Sequence, residues 1–381
     1  MTQAGPVAIA AAAVLDDGAI VEVRFSDGRA RRFPSLWLRD HCETPDCLHP
    51  ETQQRLVDVF AFDAPVLAAG AGPAEGGRTL RVVWRSEDHE SRLSADLLAG
   101  VDDGGAPETA RSLWPDAAFP DGLPTVPYAA VRAGDAGMLD WLETVERVGF
   151  CLVDGVPPTP DATRDLAERI AYLRQTIFGD FWDAAANMEH ADTAYTPLAI
   201  TPHTDSTYSI DAPGLQMFHV IEFDGEGGES VLVDAFAIAE DVRRDHPEAF
   251  AALSTIPVPA RYLEDGVHLE ARRPVIRLDA AGRVEQVSFN HHDRAPFLLP
   301  EAEQRAFYDA YGLFHRMASE PARQLVFGLR PGGVLLFDNW RTLHGRLAYS
   351  GRRRLCGAYH NREDFESRLR TLRRSQARKA A

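Results

Sequence analysis

Two histidines and an aspartate place the tightest constraint on this chain. His203-Thr204-Asp205 is answered far downstream by His344. Histidine, any residue, aspartate and a distant histidine is the pattern of a facial triad. Such a triad holds three adjacent positions of an octahedral Fe(II) and leaves three open. Residues two apart on an extended segment leave the same face, so His203 and Asp205 reach one metal from one side. By itself H-x-D is cheap, because a surface histidine beside a solvated aspartate satisfies it equally well. The surroundings of His344 change that. Gly333 to Asp338 reads as a compact strand and Asp338-Asn339 as a turn, which puts His344 at the rim of a sheet. Arg353 then opens the next strand, and its parity with Leu355, Gly357 and Tyr359 puts Arg353 and Tyr359 on one face. A planar fork of donors suits a carboxylate. Parity alone leaves open a solvated arginine in Arg352-Arg353-Arg354, but the three features together have few structural explanations.

Composition narrows the class. The 381 residues are 45% hydrophobic and 25% charged, as in an ordinary soluble globule, and supply chain enough for one large and one small domain. A formal net charge of -17 argues against a nucleic-acid surface and against an anionic membrane as partner. No apolar run approaches the roughly 20 residues of a membrane span. Val7 to Leu15 imitates a signal segment weakly, lacks a basic start and runs into Asp16-Asp17, so it reads as a first strand or loose terminus. Four cysteines in so long a chain make no disulfide framework, and a reducing cytoplasm is expected.

Residues 1–105 read as a small β-rich domain. Ile20 to Phe25 alternates apolar and charged residues, turns at Ser26-Asp27-Gly28 and returns through Arg29 to Pro34. Leu80 to Trp84 and His89 to Leu93 form a similar pair, and Ala68 to Gly77, rich in Ala, Gly and Pro, reads as a loop. Asp102-Asp103-Gly104-Gly105-Ala106-Pro107 is the clearest linker. In residues 106–381, helices are expected near 137–145, 161–177, 235–253 and 300–319, with a basic helix from Asp364. Strands are expected in Gly149 to Val156, a buried-strand pattern ending in a turn, and at Leu215 to Glu222, Glu229 to Asp234, Gly333 to Asp338 and Arg353 to Tyr359. Short strands under helical cover indicate a mostly β jelly roll.

Several stretches resemble the iron and 2-oxoglutarate dependent dioxygenases of the taurine dioxygenase superfamily, and within it the trimethyllysine and γ-butyrobetaine dioxygenase branch. They are Ala191 to Thr196, His203-Thr204-Asp205, Gly227 to Asp234, Asp338 to Arg346 and Arg353 to Tyr359. The likeness spans nearly the whole chain. It implies a double-stranded β-helix with Fe(II) on His203, Asp205 and His344. Arg353 would hold the far carboxylate of 2-oxoglutarate, with Ser230 as hydroxyl partner. The implied reaction couples decarboxylation of 2-oxoglutarate to succinate and carbon dioxide with hydroxylation of a substrate by O2, with ascorbate as reductant.

Aromatic faces are what a quaternary ammonium can use, since it has no N–H donors. Phe178 and Trp182, four apart near the end of an expected helix, can share a face, and Tyr195 and Tyr359 flank the triad. By resemblance these four positions match a trimethylammonium cage, with Phe178 in place of an expected tyrosine. Asp192, three residues before Tyr195, suits the α-ammonium of trimethyllysine and would repel the bare carboxylate of γ-butyrobetaine. Asn290 matches a substrate-facing polar segment, whereas His291 stands where the likeness leads to Asn. Leu36 to His49 resembles the family's zinc module, with Cys42, Cys47 and His89 as ligands and His49, or else His41, completing the site. That module would be structural and would lie at a homodimer interface. Trimethyllysine is the first expectation and γ-butyrobetaine the second. A dioxygenase on another small zwitterion and a non-enzymatic metal protein are further readings; the intact His203, Asp205, His344 and Arg353 count against the last.

Overall fold

Alternation in the N-terminal part of the sequence becomes two small antiparallel sheets. The computed structural model describes residues 7–101, 111–116, 119–183 and 196–380. Its chain divides into two units, Met1–Pro107 and Glu108–Ala381. In the first, β1 (Ile9–Leu15), β2 (Ile20–Phe25) and β3 (Ala30–Pro34) lead into helix α1 (Ser35–Asp40). Then β4 (Ala68–Ala74), β5 (Thr79–Trp84) and β6 (Glu90–Ser94) lead into α2 (Ala95–Gly100). Val21, Val23, Leu38, Leu80, Val82, Leu93 and Leu98 are all fully buried in the shared core. Each such side chain contributes about 1.5–3 kcal/mol relative to exposure. The halves interlock reciprocally at two glycines in the left-handed region. A Cβ on Gly18 would lie 2.6 Å from the Ala68 carbonyl oxygen, and one on Gly77 would lie 2.7 Å from that of Ile9. Residues 68–74, expected as a loop, are therefore strand. Pairing with β5 and burial of Ala68 override the poor β propensity of Ala, Gly and Pro.

The second unit begins with β7 (Thr125–Pro127), α3 (Tyr128–Ala133), α4 (Asp135–Val148), β8 (Phe150–Asp154), α5 (Pro160–Glu168), β9 (Phe181–Asp183) and β10 (Ile200–His203). It continues through β11 (Leu215–Gly227), β12 (Ser230–Asp234), α6 (Ala235–Asp245) and α7 (Pro247–Thr255). Two hairpins follow, β13 (Val258–Glu264) with β14 (Val267–Arg273), and β15 (Ile276–Leu278) with β16 (Val284–Val287). The chain ends through α8 (Glu301–Ala318), β17 (Leu325–Phe327), β18 (Gly333–Asp338), β19 (Thr342–Arg346), β20 (Tyr349–His360) and α9 (Arg362–Ala380).

A six-stranded sheet, ordered β7-β8-β18-β11-β20-β9, faces a four-stranded one, ordered β10-β19-β12-β17. Phe150, Leu335 and Phe337 of the larger sheet meet Leu232 and Leu325 of the smaller in one buried cluster. This is the layered, mostly β jelly-roll arrangement. The alternate residues Cys151, Val153, Val334 and Leu336 bury the opposite face of the larger sheet under Trp141 and Leu142 of α4, Leu166 of α5 and Phe365 of α9. Burial on both faces is why these strands read as unbroken apolar runs. Helices α6, α7 and α8 bury Val233 and Leu343 of the smaller sheet.

Two expected helices are shorter than the pattern suggested. Residues 235–253 break between α6 and α7, where Pro247 opens a new helix because it has no N–H to continue the old one. The helix expected over 161–177 is regular only to Glu168. Phe178 consequently sits in a turn closed by Thr176 and Gly179, and Trp182 on the edge strand β9.

Candidate active site

The pairing of β10 with β19 sets His203 directly opposite His344. His344 thus lies within a strand, hydrogen-bonded on its other side to β12, and not beyond a sheet's rim. The turn after Asp338 is short enough for the chain to return at once as β19. Arg341 anchors that turn through a fully buried ion pair with Asp234 at 2.7 Å. It also donates to the carbonyls of Arg147 and Ser112. Asp205 follows β10 in a segment that bends sharply, with Ser206 at φ 57°. Asn339 ties that bend to the turn. Its Oδ1 accepts from the Asp205 amide at 2.8 Å, while its Nδ2 donates to the Asp205 and Pro213 carbonyls.

One ligand atom from each of His203, Asp205 and His344 falls within 4.8 Å of the others. Asp205 Oδ1 lies 3.2 Å from His203 Nε2 and 3.5 Å from His344 Nε2. Cis ligands at roughly 2.1 Å from an octahedral ion are roughly 3 Å apart, so the set fits a divalent metal. The outer atoms are arranged to match. His203 Nδ1 is 2.8 Å from the Thr201 carbonyl, which fixes the tautomer that leaves Nε2 as the donor to a metal. Asp205 Oδ2 accepts from Gln216 Nε2 and from the Tyr359 hydroxyl, both at 2.8 Å. Burial opposes the Asp205 charge, but the neighbouring imidazoles outweigh it and hold the carboxyl well below its usual range. Burial and the proximity of His203 push the His344 pKa down, favouring the neutral ring that a metal requires.

A cavity of about 420 Å³ opens over these groups, within the size range of small-molecule sites. Ser230, Arg346, Tyr349 and Arg353 line one region of it. The Arg346 and Arg353 guanidinium carbons lie 4.7 Å and 5.7 Å from the Tyr349 ring centroid. Burial, helped by repulsion from Arg346, pushes the Arg353 pKa down to about 10. No hydrogen-bond or ion-pair partner of the Arg353 guanidinium occurs among the described residues. Two adjacent cations in a partly dry pocket call for an anion. The shared face of β20 is as expected, for Arg353, Leu355 and Tyr359 all line the cavity.

Phe178 and Trp182 line it too, from the turn and β9. Trp182 pairs with Gly357 of β20, where a Cβ would stand 2.5 Å from Trp182 Cζ2. Only the missing side chain lets the indole cross the strand. Tyr359 is engaged differently from a simple cage wall, since its hydroxyl holds the aspartate. Asn290 lines the cavity but is tied within its own loop, donating to Asp293 Oδ2 and accepting from the His292 amide, each at 3.0 Å. Asp192 and Tyr195 lie outside the described residues.

Sequence reasoning missed Tyr208, Gln216 and Tyr262. The first follows Asp205 by three residues, and the second is a lone amide in an apolar strand; both were visible signals. Tyr262 had none, because only the fold brings β13 to the cavity, where its ring lies 5.1 Å from Tyr208 and 6.1 Å from Phe178.

Comparison with known proteins decides the family. Residues 115–359 match the family described as taurine catabolism dioxygenase TauD, TfdA family, and residues 13–98 match gamma-butyrobetaine hydroxylase-like, N-terminal. This chain belongs to the TauD/TfdA dioxygenase family. It is a 2-oxoglutarate-dependent dioxygenase, and the family implies iron, O2 and a small-molecule substrate. A trimethyllysine dioxygenase of Meyerozyma guilliermondii is 36% identical over 379 residues, covering 93% of this chain and 94% of its own. The mitochondrial trimethyllysine dioxygenase of Gallus gallus is 33% identical, covering 92% and 86%. A gamma-butyrobetaine dioxygenase of a Pseudomonas species is 32% identical, covering 93% and 94%.

The N-terminal unit of this family member gathers a second donor set. Cys42 Sγ and Cys47 Sγ both lie 3.4 Å from His89 Nε2. His49 does not join them. Its Nδ1 accepts instead from the amides of Glu51 and Thr52 in its own tight loop. His41 stacks on Trp37 and bonds its carbonyl. Around the cluster, Thr44 Oγ1 is 3.1 Å from Cys42 Sγ, Arg39 Nη1 donates to Cys47 Sγ at 3.3 Å, and Asp46 Oδ2 is 3.4 Å from His89 Nδ1. No helix among the described residues is long and apolar enough to cross a membrane.

Proposed function

We propose that this dioxygenase hydroxylates a trimethylammonium amino acid, N6,N6,N6-trimethyllysine, releasing succinate and carbon dioxide. The observation that carries the reading is one cavity holding three things: the two-histidine, one-aspartate cluster, the Arg353–Ser230 pocket and an aromatic wall. His203, Asp205 and His344 would hold iron, which when bound supplies the oxidising chemistry. Arg353 and Ser230 bind the distal carboxylate of 2-oxoglutarate. Gln216 and Tyr359 hold Asp205 Oδ2, so that Oδ1 faces the metal position. Phe178 and Trp182, with Tyr195 and the newly found Tyr208 and Tyr262, exclude water and face the trimethylammonium group. Asp192 pairs the α-ammonium.

Cys42, Cys47 and His89 are donor types of structural zinc, and we assign them to a zinc site. A homodimer, ascorbate as reductant and a cytoplasmic setting complete the reading; four free cysteines support a reducing compartment. The test is turnover by purified protein with Fe(II), ascorbate and 2-oxoglutarate. Succinate coupled to trimethyllysine is expected, and coupling to γ-butyrobetaine alone would overturn the substrate. The similarity to a gamma-butyrobetaine dioxygenase makes that second substrate the specific alternative.

A further inference from the structure

We propose that Asp293 is a substrate-anchoring carboxylate, which holds the α-ammonium of the amino acid and so separates trimethyllysine from γ-butyrobetaine. The proposal rests on the substrate reading above. Among the described residues that line the cavity, the carboxylates are Asp205 and Asp293. Asp205 is committed to the metal cluster and to its two hydrogen-bond donors. Asp293 is held as a preorganised acceptor: its Oδ2 receives the Thr207 hydroxyl and Asn290 Nδ2, each at 3.0 Å. Thr207 stands two residues after the metal-binding Asp205, so this carboxylate is braced directly against the iron-site segment.

The same residue is tied to the aromatic wall. The amide of Arg261 donates to the Asp293 carbonyl at 2.8 Å, and the next residue on β13 is Tyr262. The Tyr262 ring in turn meets Tyr208 and Phe178. A fixed anion beside a set of ring faces complements a ligand with two different cations. A quaternary ammonium has no N–H and uses the rings, whereas a primary ammonium carries three donors and needs acceptors. The three donors of a primary ammonium can also serve Asp192. γ-Butyrobetaine carries the quaternary group and a carboxylate but no ammonium, and Asp293 repels that carboxylate.

The experiment compares wild-type full-length protein with Asp293→Asn, which keeps an acceptor oxygen for Thr207 and Asn290. Both receive trimethyllysine, its analogue lacking the α-amino group, and γ-butyrobetaine. Asp293→Asn is expected to raise KM for trimethyllysine about 10- to 100-fold, the size expected for losing a hydrogen bond to a charged group. The kcat and the KM for 2-oxoglutarate should hold, the analogue should be insensitive to the substitution, and γ-butyrobetaine turnover should hold or rise. Should that variant fold poorly, Asp293→Ser, which keeps an oxygen for Asn290 Nδ2, is measured with the same three compounds, and the same loss confined to trimethyllysine is expected. An equal loss with trimethyllysine and analogue makes Asp293 structural and overturns the proposal, as does no loss at all. Wild-type protein that ignores trimethyllysine overturns the substrate reading and the anchor together, whereas active wild-type with an unaffected variant overturns only the anchor.

Discussion

The two donor clusters of this chain are built from different parts, and the contrast shows what positions a reactive metal site. His203 and His344 face each other across paired strands, and Asp205 is stapled by Asn339 and oriented by Gln216 and Tyr359. The atoms facing the metal position are thus set by backbone registry plus hydrogen bonds to the far side of the ligands. Cys42, Cys47 and His89 hang on loops flanking α1 and β6, and a threonine hydroxyl stands next to Cys42. Three donors in short loops suffice to tie chain segments together.

Substitutions can break or sharpen that contrast. The largest effect belongs to Asp205→Ala, which should abolish iron binding and leave no succinate formation above background, measured by metal analysis and product assay. Arg353→Leu removes the cation and should weaken 2-oxoglutarate binding roughly 30-fold or more, as loss of a buried charge partner does. Iron retained without 2-oxoglutarate would be its signature. Tyr359→Phe and Gln216→Met each take one hydrogen bond from Asp205 Oδ2 and should weaken iron binding about 10- to 100-fold. Iron titration of the two variants checks this, and unchanged affinity would mean that registry alone positions the aspartate. Cys47→Ala should remove zinc and lower the melting temperature of the full chain, while folded molecules still turn over. Lost turnover at constant folding would join the two clusters functionally and break the contrast. The smallest change is Thr44→Cys, which supplies a third sulfur and so a fourth ligand; chelator competition should show tighter zinc retention with no change in kcat.

Much of the candidate iron site was legible because its residues carry local signatures. H-x-D works by parity on one extended segment, and Arg353 shares a face with Tyr359 by the same period. The buried strands β8 and β18 were readable as continuous apolar runs. What failed locally was decided by distant partners. Residues 68–74 lacked strand propensity and became strand because β5 and the reciprocal glycine turns gave their backbone partners. Phe178 and Trp182 share the cavity wall although no helix carries them, since Gly357 opens a place for the indole on β20. His49 had the right chemistry at a plausible spacing, yet its tight loop turns the ring onto its own backbone.

By itself the sequence determined which residues are candidates to carry chemistry: the His203–Asp205–His344 triad, the arginine of β20, the thiols and the aromatic positions near them. Their types and periodicities are local properties of the chain. Only the tertiary structure decided how they are used. It turned Tyr359 from wall to aspartate-holding donor, recruited Gln216, Tyr208 and Tyr262, and brought Asp293 beside the iron segment. Those assignments depend on strand registry and on contacts between residues far apart in sequence, which no local pattern encodes.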